Sequence, residues 1–216
     1  VDIAYLDWYY TQTGKKRKML IDDWHPTWLR DLPEMAHLRA PGNTCLSACE
    51  SLFRGEKAQN NSKGCGGIMR VAPMALLDAG YASRNENTYS LEELAEAGGE
   101  IAECTHKHPL GFLPASLLTV LLYKIVPMTA KQVQDEIDSI VADTVNVLDR
   151  IYKGKYDADK QYLKELTEKA VRLAYSDISD ADAIRQLGEG WVAEETWAIA
   201  LYCAIRHIDS VEDAII

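Results

Sequence analysis

Phenylalanine is nearly missing from this chain, with two among 216 residues, and acidic residues outnumber basic ones by 33 to 23. Leu, Ala and Ile are common instead, which suits the packing of helices. A formal charge of −10 argues against non-specific nucleic-acid binding, because a phosphate backbone needs a basic surface. It leaves room for a small anionic ligand, since backbone N–H groups at a helix start bind phosphate without net positive charge. The five cysteines are Cys45, Cys49, Cys65, Cys104 and Cys203. They form no CxxC, no Cys/His pair has zinc-ligand spacing, and their odd number fits a reducing cytoplasm. Cys45 and Cys49 lie four apart in a helical pattern, as two small buried side chains would. Val1-Asp2-Ile3-Ala4-Tyr5 is neither a basic leader nor the prelude to an apolar one. The most apolar stretch, residues 110–126, carries Pro114 and Lys124 and is short for a membrane span, so it reads as a buried helix.

Strand-like alternation, internal repeats, low-complexity tracts and linkers are missing too. What is present is a 3.6-residue hydrophobic period in nearly every long segment. Ile3, Leu6, Trp8 and Tyr9 place the first residues inside a helix. Residues 22–41 form a loop with a short helical turn, and residues 43–53 form a helix. A polar, glycine-rich loop over 55–67 leads into a further helix beginning near Ile68. Ser90 with Glu93 and Thr129 with Gln132 have capping-box spacing before helices over 91–104 and up to about Tyr152. Residues 157–174 read as a solvent-facing helix, Ser179 with Asp182 marks another start, and 191–206 is strongly amphipathic. The expectation is one all-α domain over 1–216, an orthogonal multi-helix bundle. Ser210 and Asp213 resemble a helix start only a few residues before Ile216, too short to be stable alone. Both ends therefore read as cut.

Two stretches carry possible chemistry. In Asn60-Asn61-Ser62-Lys63-Gly64-Cys65-Gly66-Gly67-Ile68-Met69-Arg70-Val71-Ala72-Pro73, three glycines within four residues permit positive φ and close backbone approach. Opening a helix, such a loop suits a diphosphate, although a glycine-rich turn is more often only a turn. In Thr105-His106-Lys107-His108-Pro109-Leu110-Gly111, Pro109 suits a first helical position. The two histidines could bind metal, carry protons or cap the carbonyls of the preceding helix.

Those two runs, together with Arg39-Ala40-Pro41-Gly42-Asn43-Thr44 and Gly188-Glu189-Gly190-Trp191-Val192-Ala193-Glu194-Glu195, occur in an order and at spacings that resemble the ADP-ribosylglycohydrolases. The likeness covers the chain from about Arg39 onward. It implies an all-α fold whose full-length members hydrolyse the glycosidic bond between ADP-ribose and a modified protein or small molecule. It also implies two Mg²⁺ or Mn²⁺ ions, held by an Asp-Asp-Thr motif near the N-terminus and an Asp-x-Asp-(Ser/Thr) motif near the C-terminus. Carried over by position, Ser62, Gly64, Gly66 and Gly67 contact the diphosphate of ADP-ribose, and His106 faces the phosphate or the adjacent ribose. Arg70 supports the loop or forms an ordinary salt bridge.

The departures are equally informative. Asp22-Asp23 is followed by Trp24 and lies too near Gly42-Asn43 to be the first metal motif. Asp177, Asp180 and Asp182 precede the Gly-Glu-Gly-Trp block instead of following it, and read as helix-starting carboxylates, as do Glu194 and Glu195. The chain therefore yields no metal ligand and no catalytic residue, and neither ion is expected on this segment. A segment inactive by itself follows, with ADP-ribose or an ADP-ribosylated substrate as the partner. The alternative is a non-catalytic ADP-ribose-binding or crystallin-like structural relative, since fold alone does not decide activity.

Overall fold

A computed structural model describes residues 2–14, 27–86 and 88–215. Among these residues it is all-α, as the periodicity predicts, with no strand. The helices are α1 (Asp2–Thr13), α2 (Asn43–Arg54), α3 (Ala72–Ser83), α4 (Leu91–Glu103), α5 (Pro109–Ile125), α6 (Ala130–Ile151), α7 (Asp157–Ala174), α8 (Asp180–Leu187), α9 (Ala193–Arg206) and α10 (Val211–Ile215). Trp28–Asp31, Pro33–Met35 and Ile68–Arg70 are single 3₁₀ turns.

Local chemistry sets the helix starts. Ser90 Oγ accepts the Glu93 N–H at 3.2 Å while the Glu93 carboxylate accepts the Ser90 N–H at 2.8 Å. Thr129 and Gln132 make the same reciprocal pair before α6. Each such cap contributes about 1 kcal/mol. One expected helix is broken. A helix running on from Ile68 would need the Pro73 N–H to reach the Met69 carbonyl, and proline has none. The backbone makes a 3₁₀ turn at Ile68–Arg70 instead and restarts as α3, with Pro73 in its first turn.

The core forms around α5. Residues 110–117 and 119–121 of this helix are all buried, which is why it lacks a polar stripe. Helix α4 packs against it through Gly98 and Gly99. A Cβ on Gly98 would sit 2.8 Å from Thr119 Cβ, and one on Gly99 would sit 2.6 Å from Ser116 Oγ. On the other side α9 lies against α7, where the buried Trp197 donates its indole N–H to Thr167 Oγ1 at 2.8 Å. Helix α1 packs against α2, with the Tyr9 and Phe53 rings 5.8 Å apart. The junctions between α2 and α3, α4 and α5, and α8 and α9 meet at one place, and the site is built there.

Candidate functional site: a cleft over the glycine loop

Asn60 ties the glycine loop to the histidine turn. Its Oδ1 accepts the Ser62 N–H at 3.0 Å and the Lys107 N–H at 3.2 Å, and its Nδ2 donates to the Thr105 carbonyl at 2.9 Å. Beyond the turn, the Ser62 carbonyl accepts the His108 N–H at 3.3 Å. Gly111 permits this approach, because a Cβ there would meet the Ser62 oxygen at 2.8 Å. The opposite edge of the loop pairs with the segment entering α9. Cys65 N–H donates to the Trp191 carbonyl at 3.1 Å and Ala193 N–H to the Lys63 carbonyl at 2.8 Å, around an antiparallel bridge between Gly64 and Val192. The Lys63 ammonium closes the join on the carboxylate of Glu194, which is 1% exposed. The hydrogen bond that the Lys63 ammonium donates to this carboxylate raises its pKa above the ordinary value, against the effect of burial, and holds it in the charged form.

Gly66 and Gly67 serve for space, not for dihedral freedom. None of Gly64, Gly66 and Gly67 is among the residues of positive φ, which corrects the expectation drawn from their clustering. A Cβ on Gly66 would stand 3.1 Å from His106 Cε1 and 3.5 Å from Cys45 Sγ. On Gly64 it would stand 3.4 Å from His106 Nε2. Gly66 thus makes room for the imidazole against the loop, whereas a Cβ on Gly64 would make ordinary contact with it. Gly67 is buried beneath it, where a Cβ would come within 3.0 Å of both Ala102 Cβ and the Gly111 carbonyl.

His106 is 3% exposed. Burial, reinforced by the Arg70 guanidinium, lowers its pKa from the ordinary 6.5 to about 4, so the ring is neutral at pH 7. Its Nδ1 lies 2.8 Å from Thr105 Oγ1. That hydroxyl accepts a hydrogen bond from Arg70, and its own proton has two acceptors in reach, Nδ1 at 2.8 Å and the Ala102 carbonyl at 3.4 Å. With the proton on the shorter contact, the ring proton resides on Nε2, on the side of the glycine loop. His108 does different work: its Nδ1 accepts the Leu110 N–H at 3.0 Å and caps α5.

Among the described residues Arg70 has no carboxylate partner. It donates to the Ile101 carbonyl at 3.1 Å and to Thr105 Oγ1, approaches Cys45 Sγ at 3.7 Å, and lies 4.8 Å over the Tyr5 ring. It therefore braces the end of α4 and the turn that carries His106.

These elements enclose a cleft of about 940 Å³ lined by Tyr5, Trp8, Gly64, Gly66, His106 and Trp191, among others. Of the residues expected to form a site, Gly64, Gly66 and His106 line it. Ser62 lies just behind, with its Oγ 3.2 Å from Thr44 Oγ1 and 3.3 Å from the Gly64 N–H that it accepts. Cys45 is half-buried on the cleft wall, not fully buried as its neighbour Cys49 is. Among the described residues lining the cleft, Arg70 is the one charged side chain and no carboxylate is present. Burial also pushes the Tyr5 hydroxyl up to about 12, so it too is neutral. Sequence reasoning missed Thr105, Trp191 and Glu194 as parts of the site. All three fall within motifs already singled out, but their partners lie far away along the chain.

The described residues do not fit a pair of divalent cations. No group of three or more His, Cys, Asp or Glu side chains is placed to hold one. Asp180 instead pairs with Tyr202 and His207, and Asp182 caps α8 with Ser179 and binds Arg185. Glu195 Oε2 accepts the N–H groups of Glu189 and Gly190, each at 3.1 Å. Asp22, Asp23 and Trp24 lie outside the described residues. No described helix is long and apolar enough to cross a membrane.

An all-α bundle with a histidine-backed glycine loop at the junction of three helix pairs defines a class of protein. The chain belongs to the ADP-ribosylglycohydrolase family, whose model matches residues 1–216. Its similarity extends to ADP-ribosylhydrolase ARH3 of Homo sapiens and of Bos taurus, each 25% identical over 170 residues. Those matches take in 74% of this chain but 44% and 43% of the two relatives, less than half their length. No solved structure matches the chain.

Proposed function

We propose that this cleft recognises the ADP-ribose group of a modified substrate, with the diphosphate beside Gly64, Gly66 and Ser62 and a ribose or phosphate oxygen at His106 Nε2. One observation carries this reading. In a chain of net charge −10, the described residues lining this cleft include an arginine and no carboxylate. A neutral N–H donor and glycine backbone suit an anion without the desolvation cost of a second buried cation. Gly67 would act from below, holding the loop against Ala102 and Gly111. In the whole protein this recognition would serve hydrolysis of the glycosidic bond to ADP-ribose, as family membership supports. The segment alone is expected to bind ADP-ribose weakly, and to release none from modified protein when supplied with Mg²⁺ or Mn²⁺. Five free thiols suit a cytoplasmic protein.

Calorimetric titration of the chain with ADP-ribose tests this reading, using Gly66→Val as the control. The added side chain meets His106 at the first atom, so binding should vanish while the helical circular-dichroism signal persists. Equal ADP-ribose affinity in the two proteins would remove the loop from the site. Turnover well above background by the segment alone would refute the expected inactivity.

A further inference from the structure

Trp191 is 76% exposed, although it lies on the wall of the cleft. Most large side chains near α9 are buried: Trp197 is 1% exposed and Tyr202 0%. Hydrophobic burial therefore does not hold Trp191 in place; its backbone does. Gly188 and Gly190 take φ of +137° and +78°, which L side chains rarely adopt. Glu195 Oε2 gathers the Glu189 and Gly190 N–H groups, and Thr196 Oγ1 donates to the Gly190 carbonyl at 2.9 Å. The Trp191 carbonyl itself accepts the Cys65 N–H at 3.1 Å, from the middle of the glycine loop. Lys63 and Glu194 lock the next residues on either side of this join. An exposed indole is thus mounted on a braced segment, in register with the loop assigned to the diphosphate.

We propose that Trp191 is the stacking platform for the purine ring of the nucleoside diphosphate, and so a specificity determinant for the base. This rests on the cleft being the ADP-ribose site. A π-face suits a flat heteroaromatic ring, and a platform fixed in advance loses little conformational entropy when the ring docks. The exposed Met69, on the same cleft wall, offers a polarizable surface that fits such a ring.

The test compares Trp191→Ala, Trp191→Phe and wild-type chain with ADP-ribose and with ribose 5-phosphate, which lacks the base. Trp191→Ala should weaken ADP-ribose binding about 10- to 100-fold and leave ribose 5-phosphate binding unchanged. Trp191→Phe should restore most of the affinity. ADP-ribose should quench wild-type tryptophan fluorescence, and Trp191→Phe should shrink the quench to what Trp8 on the cleft wall contributes. Because the side chain is exposed, all three proteins should give the same circular-dichroism spectrum. Equal weakening of both ligands would assign Trp191 to loop support and overturn the proposal. Unchanged ADP-ribose affinity in Trp191→Ala, or a quench undiminished in Trp191→Phe, would also overturn it. If Gly66→Val abolishes binding and Trp191→Ala does not, the cleft stands and the platform falls. If wild-type chain and the full-length protein both fail to bind ADP-ribose, the cleft reading falls, and the platform with it.

Discussion

Burial of a neutral His106 makes stability depend on acid in a way that can be isolated. The folded-state pKa, about 4, lies below the value of about 6.5 for an unfolded chain. As pH falls, the unfolded chain therefore takes the proton first. The stabilisation is intact above pH 6.5 and is lost as pH falls towards 4. Integrating between these two pKa values gives a loss of about 2 kcal/mol from pH 7 to pH 5, and about 3 kcal/mol by pH 4. Other groups titrate in the same range, so the quantity to measure is a difference between proteins. His106→Gln removes this proton site and leaves the remaining groups in place. The variant should be less stable at pH 7, because it loses the bond to Thr105 Oγ1 and the packing against Gly66. The gap between it and wild type should then shrink by about 2 kcal/mol at pH 5. With an m-value of about 2 kcal/mol/M, that is a change of about 1 M in the separation of the urea midpoints. A gap that stays constant from pH 7 to pH 5 would refute the reasoning, as would an imidazole titration midpoint near 6.5 by NMR.

Other perturbations probe the supports of the site. Arg70→Met removes the second cause of the depressed His106 pKa, so NMR should show the midpoint rising but remaining below 6.5, since burial is the larger cause. Lys63→Met leaves the Glu194 carboxylate buried without its cation, and should cost about 3 kcal/mol in urea denaturation. Glu194→Gln keeps a hydrogen-bond acceptor for Lys63 and should cost clearly less; the opposite ranking would refute the clamp. Gly98→Ala drives a methyl group to within 2.8 Å of Thr119 Cβ. The resulting overpacking between α4 and α5 should destabilise by about 1–3 kcal/mol, seen as a lower thermal midpoint.

Much of the fold was legible because its signals are local. Ser90 and Glu93 lie three residues apart, and their reciprocal bonds need nothing beyond one helical turn. The buried α5 was legible for a related reason: an apolar run interrupted only by Pro114 and Lys124 leaves no polar face for solvent. The helix expected from Ile68 begins instead at Ala72, because Pro73 lacks the N–H that a helix continuous from Ile68 would need, a signal that is itself local.

The site was harder to read for a different reason. Lys63 and Glu194 are 131 positions apart, and Asn60 reaches Thr105 across 45. No periodicity reports contacts of that span, so resemblance alone could bring the glycine loop, the histidine turn and the Gly188–Glu195 block together. The glycine clustering itself misled at one point, by suggesting positive φ in the loop, where Gly64, Gly66 and Gly67 have none. Gly188 and Gly190, in the block that holds Trp191, do take positive φ, whereas Gly66 is small so that His106 can lie against it. The glycines thus divide the work. Gly66 makes room for an imidazole that burial keeps neutral beneath the cleft, and Gly188 with Gly190 bends the chain that sets an indole on its rim. In the proposed ADP-ribose site, an uncharged imidazole and a flat apolar face would both discriminate by shape more than by charge, which suits a chain with a strongly negative overall field.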